Sequence, residues 1–288
     1  MTEQGSGSYR KGLTLTALGG LALSFDMPLI RLSGADIWTT LAARSLLNMA
    51  AAFLFWLLYR AITGQPMTLI GGRIGLIVGF FYALGTLGFV AALYHTTTAN
   101  VAFILAFNPM FGALLAWIFL KQVPRAATLW TMAIMIAGVA LIVSDGLSSG
   151  HLFGDAMALG SAFFIAIAIT ISTSTNRDLG FAPLISTYIP ALIGLAMISQ
   201  SGWHMPNPGW LVFDGFLVNT IAFWCLATGP RFLPAPVVGM FYLLETVLAP
   251  IWVWLLFDDR ISTQSLFGGT ILIVALVAHS IWMMRGKA

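Results

Sequence analysis

The sequence predicts an all-α membrane protein of ten transmembrane helices in two inverted five-helix repeats. Three observations carry that expectation. Hydrophobic residues fill 59% of the 288 positions and charged residues only 8%, against about 25% charged in a soluble domain. Ten apolar segments follow one another, each close to the ~20 residues that a membrane helix needs. One half of the chain, laid on the other, repeats its pattern.

The segments run over 12–32, 37–59, 71–94, 97–120, 127–145, 152–176, 183–202, 209–229, 235–257 and 264–284. The breaks carry turn-forming Gly, Pro and Asp, as at Gly34–Asp36, Gly64–Pro66, Gln122–Pro124, Gly146–Gly150 and Pro206–Gly209. Loops this short make neighbouring helices antiparallel. Residues 1–11, MTEQGSGSYRK, are polar and rich in Gly and Ser and read as a disordered tail. The run after them is too long for a signal peptide, holds Asp26 and shows no small-x-small cleavage pattern, so it reads as a retained first helix. The two repeats are then 12–145 and 150–288.

Orientation follows from Lys and Arg. With the N-terminus cytoplasmic, the inside flanks hold Arg10, Lys11, Arg60, Arg73, Lys121, Arg125, Arg177, Arg231, Arg285 and Lys287. The outside flanks hold Arg31 and Arg260. The bias puts both termini in the cytoplasm, as an even number of crossings requires. The basic residues stand singly at segment ends, which gives no nucleic-acid footprint. The lone Cys225 excludes an intrachain disulfide and a Cys-based metal site.

Setting Asn108 on Glu245 also sets Gly112 on Ala249, Trp117 on Trp254 and Thr128 on Ser265. A shift four residues longer sets Ala17–Gly20 on Ala158–Ser161. Five segments per unit is odd, so the second unit enters the membrane in the opposite sense. Such inverted repeats are common in secondary transporters, whose substrate sites lie near the midplane between the repeats.

Segment 9, APVVGMFYLLETVLAPIWVWLLF, holds one charge, Glu245, near its middle. An acid at that depth is costly and reads as facing protein or a water-filled cavity. Pro250 frees the carbonyl of Thr246, and Pro109 that of Leu105. Glu245, Asn108 and the two carbonyls could together receive an ammonium or a zwitterion head, and Glu245 could instead exchange a proton. Hydrogen bonding to Tyr242 or across to Asn108 is the purely structural alternative.

Asp26 and Arg44 lie about 9 and 10 Å below the outer ends of segments 1 and 2. Matched depth predicts a structural ion pair. Pro28, one turn beyond Ser24, allows a kink and gating, as do Pro109 and Pro250. Small residues mark close helix contacts: Gly12, Thr16, Gly20 and Ser24 in segment 1, Gly71, Gly75 and Gly79 in segment 3, and Ala158, Ala162 and Ala166 in segment 6. Tyr82, Trp224 and Tyr242 are amphipathic aromatics away from the interfaces and are candidates to receive a flat apolar side chain. His95, His151, His204 and His279 lack metal spacing. No P-loop or dinucleotide fingerprint occurs, so neither a cofactor nor ATP-driven transport is expected.

Ten segments in two inverted units, Arg44 in segment 2, and the pairs Asn108-Pro109…Trp117 and Glu245…Trp254 together resemble the EamA type of the drug/metabolite transporter superfamily, over nearly the whole chain. Within it the chain is similar to the YddG-type exporters of aromatic amino acids. The resemblance implies a bacterial inner-membrane protein in which segments 1, 3, 4, 6, 8 and 9 surround a central cavity, with 5 and 10 peripheral. Many EamA repeats carry Glu-Pro where this chain has Asn108-Pro109, which removes one of two paired acids. The expected function is export of small amphipathic metabolites, chiefly aromatic or apolar amino acids, by alternating access, with a proton as a further candidate partner. The alternative is a broad drug/metabolite exporter with proton antiport. An intramembrane enzyme would need paired acids at one depth, and residue counting sets Asp26 and Glu245 at different depths.

Overall fold

The structure is a computed structural model that describes residues 3–64, 70–175, 185–228, 232, 235–258 and 261–285. All regular elements among these residues are helices. They are α1 Glu3–Leu23, α2 Asp26–Ser33, α3 Ile37–Thr63, α4 Gly72–His95, α5 Thr98–Leu105, α6 Asn108–Leu120, α7 Ala126–Ser149, α8 Leu152–Ser174, α9 Tyr188–Ser201 and α10 Pro208–Val212. A π-helical turn, Phe213–Val218, leads into α11 Asn219–Thr228, followed by α12 Ala235–Phe257 and α13 Thr263–Arg285. Eight stretches among the described residues are long and apolar enough to cross a bilayer, and Tyr188–Ser201 and Leu243–Phe257 are shorter apolar helices. The chain is a multi-pass membrane protein.

Two apolar segments that read as single helices are each broken in two. Segment 1 divides at Ser24–Phe25 into α1 and α2, and segment 4 at Ala106–Phe107 into α5 and α6. The cause lies four residues on in each case. Pro28 brings no N–H to the Ser24 carbonyl and Pro109 none to that of Leu105. The chain recovers with short-range bonds, Phe25 N to Ala22 O at 3.0 Å and Phe107 N to Ile104 O at 3.0 Å. Pro250, by contrast, stays inside the continuous α12. A further difference lies at the N-terminus. α1 begins at Glu3, within the stretch expected to be a disordered tail; no Pro interrupts that stretch, and the apolar helix behind it supplies a nucleus on which it can extend.

Turns follow the local chemistry. Gly34 and Gly64 close α2 and α3 in the left-handed region, at φ 63 and 66, where glycine has no Cβ to clash. The Asp36 carboxylate opens α3 by accepting from the N–H groups of Trp38 and Thr39.

Helix association in a bilayer rests on close packing rather than on hydrophobic expulsion from water. α4 lies along α8, α1 along α11, α3 along α9 and α7 along α13, while α5 packs on α12. The small-residue stripes occupy these seams. Gly12, Thr16, Gly20 and Ser24 are all buried, as are Gly75, Gly79, Ala158, Ala162 and Ala166. A Cβ on Gly88 of α4 would lie 2.9 Å from the Met157 carbonyl oxygen of α8, and one on Gly19 of α1 would lie 2.8 Å from Cβ of Cys225 in α11. Large apolar side chains such as Leu58, Ile77, Phe119 and Trp130 point outward, as lipid contact allows.

Candidate functional site

The break in segment 4 places a new helix N-terminus inside the bundle, with Asn108 as its first residue. Asn108, Pro109, Gly112, Ala116 and Leu120 of α6, with Gln122 beyond it, face Ala166, Ile169, Thr170 and Ser174 of α8 across a cavity of about 400 Å³. The Asn108 Nδ2 donates to the Ala162 carbonyl of α8 at 3.0 Å. That bond fixes the amide through its nitrogen; its oxygen is an acceptor. The wall is small and mixed, with amide and hydroxyl groups among apolar surface, which suits an amphipathic small molecule.

A second constellation is made of charge. Arg44 Nη2 bonds both oxygens of Asp26 at 2.7 Å, and its Nε donates to Asp214 Oδ2 at 3.2 Å. Asn219 Nδ2 donates to Asp26 Oδ1 at 3.1 Å and to Asp214 Oδ2 at 3.3 Å. The guanidinium also stands 5.4 Å from the ring centroid of Phe89. All four polar residues are buried. The sequence paired Arg44 with Asp26 alone. Asp214 and Asn219 were missed because a spacing of five points two side chains to different faces of an α-helix, by about 140°. The π-helical turn, closed by the bond from Asn219 N to Asp214 O, brings them to one face. A charge six residues into an apolar segment was the signal available.

Glu245 lies within electrostatic reach of both Asp26 and Arg44. Glu245 is only partly buried and makes no hydrogen bond to any other described residue. Tyr82 packs with Ile74 and Phe81 against Val78 and Ala168, in the α4–α8 seam. Trp224 is 41% exposed, with its ring 5.7 Å from that of Phe55. Neither lines the cavity beside Asn108. The Tyr242 side chain lies outside the described residues, and so do the basic flanks Arg177, Arg231, Arg260 and Lys287.

One end of the bundle is tied shut. Asn207 N donates to Ser33 O at 3.1 Å and Asp36 N to His204 O at 3.2 Å, and Tyr94 Oη donates to Ala35 O at 2.7 Å. Arg31 bonds Thr98 Oγ1 at 3.3 Å and stands 4.7 Å from the Phe257 ring centroid. Deeper in, Trp252 of α12 stacks on Phe25 at 5.0 Å and donates to Ser24 Oγ at 3.1 Å, across the α1–α2 break. The cavity beside Asn108 runs toward the other end, where α6 and α8 finish. A polar knot at the tied end joins Asp155, Thr96, Asn100 and Ser265 and holds α4, α5, α8 and α13 together. No group of three or more metal-ligating side chains occurs among the described residues.

Comparison with known proteins agrees with this architecture. Residues 10–144 match the model of the EamA-like transporter family. A crystal structure described only as that of a protein has the same fold, with a TM-score of 0.64 at 15% identity, covering 96% of this chain and 98% of its own. No curated protein matches.

Proposed function

We propose that the protein is a secondary transporter of the drug/metabolite transporter superfamily that exports small amphipathic metabolites, above all aromatic and apolar amino acids, across a bacterial inner membrane by alternating access. The observation that carries this reading is the cavity headed by Asn108 at a helix break inside the stretch that matches a transporter family. Such a break offers a zwitterion both of its needs. The positive dipole end at the start of α6 attracts a carboxylate. The Leu105 carbonyl, to which Pro109 brings no N–H, and the Asn108 oxygen attract an ammonium. Residue 108 being an amide, we assign the substrate's amine to Glu245, which stands outside the lining of the cavity beside Asn108 in this state. Tyr82, Trp224 and Tyr242 are assigned to the substrate's ring as the helices rearrange.

An inverted repeat is supported by the packing. Exchanging the two halves exchanges the α1–α11 pair for the α4–α8 pair and returns α3–α9, α7–α13 and α5–α12 to themselves. Alternating crossings then put both termini at the end where the cavity runs out, which the Lys/Arg bias assigns to the cytoplasm. The structure corresponds on this reading to the inward-facing state, with the periplasmic end closed by the Arg31, Tyr94 and Trp252 contacts.

Counterflow in proteoliposomes tests the proposal. Vesicles preloaded with L-phenylalanine are expected to accumulate labelled L-phenylalanine and L-tryptophan well above protein-free vesicles, with L-alanine weaker. Equal accumulation in both kinds of vesicle would overturn the amino-acid reading.

A further inference from the structure

Where the pair α3–α9 meets the pair α4–α8, the side chains leave a second cavity, a groove of about 370 Å³. Its walls are Leu41 of α3, Leu84 and Leu87 of α4, Met157 and Phe164 of α8 and Ile193 of α9. Among the described residues that line it none is charged, and the Trp38 indole N–H is the one strong hydrogen-bonding side-chain group. A zwitterion finds no partner on such walls, and apolar cavities of this kind stay dry. The groove therefore suits hydrocarbon. Its depth says which hydrocarbon. α4 ends at His95 and α8 begins at Leu152. At 1.5 Å per residue, the bordering Ala91 and Leu84 lie about 6 and 16 Å below the end of α4, and Met157 and Phe164 about 8 and 18 Å below the start of α8. Half of a bilayer's hydrocarbon core is about 15 Å thick. The groove thus occupies one leaflet, the one at the tied end of the bundle. Amphipathic aromatics mark its mouth. Trp38 stands in the first turn of α3, and the exposed Trp203 is held beside it by the bond from His204 N to Thr39 Oγ1 at 3.1 Å. Trp and Tyr gather where hydrocarbon meets headgroups, so the mouth lies at the level of a lipid's glycerol.

We propose that this groove is a binding site for one acyl chain of a membrane phospholipid, whose head stays at the level of Trp38 and Trp203. Outward side chains such as Leu58 and Phe119 meet a lipid tail on one side only. Walls from four helices meet it on several, and each added carbon contact adds to the dispersion attraction. The tail in the groove is therefore held when neighbouring lipids exchange. With no charged side chain in the lining, the site selects the chain and not the head. A ligand that binds the folded protein and not the unfolded chain stabilises the fold. Here it fills the seam that side chains of α3, α4, α8 and α9 leave open.

Native mass spectrometry of the full-length protein, reconstituted with equimolar phosphatidylethanolamine and phosphatidylglycerol and released from mild detergent, tests the site. The wild type is expected to retain one phospholipid. With no basic cluster to favour an anionic head, the two lipids should be retained equally, within about twofold. A Cβ on Gly160 meets no atom within 4 Å, and Gly160 lines the groove. Gly160→Phe therefore puts a ring into the space of the tail and should lower the retained lipid about tenfold, since close-packed space cannot be shared. Replacing a helical glycine relieves a local penalty, so the variant should fold. Gly112→Trp, which fills the cavity beside Asn108, should retain the lipid. Photolabelling of the wild type by a phosphatidylethanolamine with a diazirine in its acyl chain needs no variant. The label is expected on 84–91 and 157–164 well above the peptides that hold Leu58 and Phe119. Retention unchanged in Gly160→Phe, loss in Gly112→Trp, retention of only one of the two lipids, or label no denser in the groove than at Leu58 and Phe119 would overturn the proposal. A dimer that Gly160→Phe dissociates would put a second copy of the chain in the groove and overturn it as well.

Discussion

Arg44→Met should cost about 3–5 kcal/mol of stability, the loss expected when one partner of a buried ionic group is removed and the other is stranded. Here two carboxylates, Asp26 and Asp214, lose their common cation, and Phe89 loses the guanidinium against its ring. Native stability totals of about 5–15 kcal/mol leave little room for such a loss, so the expected result in detergent is a sharply lowered unfolding midpoint or failure to yield folded protein. The triple variant Arg44→Met, Asp26→Asn, Asp214→Asn removes the whole set of charges and should regain most of the loss, since neutral replacements of a buried ionic group are often near neutral in energy. Unfolding followed by Trp fluorescence in denaturant separates the two. A single variant as stable as the wild type would show that the cluster does not hold these helices together.

Gly112→Trp has the opposite signature, loss of transport without loss of fold. Gly112 lines the cavity one turn below Asn108, and a Cβ built on it meets no atom within 4 Å. An indole there enters open space instead of a packed seam. Glycine inside a helix is about 1 kcal/mol less favourable than alanine, so replacing it relieves a local penalty. Counterflow of L-phenylalanine is expected to fall to background while the unfolding midpoint holds or rises. Transport at the wild-type rate would remove the substrate from this cavity.

Much of the helical frame was legible in the sequence because the lipid imposes it. Segments 37–59, 71–94, 152–176 and 235–257 correspond to α3, α4, α8 and α12 within a few residues, since each apolar run is bounded by Gly, Pro, Asp or His that cannot pass unnoticed. Proline identified where the backbone lacks a donor, at Ser24 and Leu105. It did not indicate whether the helix would bend or break: Pro28 and Pro109 lie beyond breaks, whereas Pro250 is carried inside α12. That choice depends on neighbouring helices. Asn108 was singled out by its place in the repeat; the residues across the cavity from it, Ala166 and Thr170 of α8, depend on helix rotation, which low amphipathicity leaves unmarked. Asp26 and Arg44 were legible by depth. Asp214 was not connected to them because helical periodicity sends Asn219 to another face.

That last point bears on how the charged cluster is encoded. Between Asp214 and Asn219 the chain runs one residue longer per turn than an α-helix requires. The extra residue contributes no side chain to the cluster, yet it decides where two side chains point. Wound as an unbroken α-helix, the same five-residue spacing would leave Asp214 and Asn219 present in the sequence and set them about 140° apart. In this segment the winding of the backbone is therefore as much a determinant of the charge cluster as the chemistry of its residues. A relative that kept Asp26, Arg44, Asp214 and Asn219 at the same spacing, with an unbroken α-helix in place of the π turn, would lack the cluster.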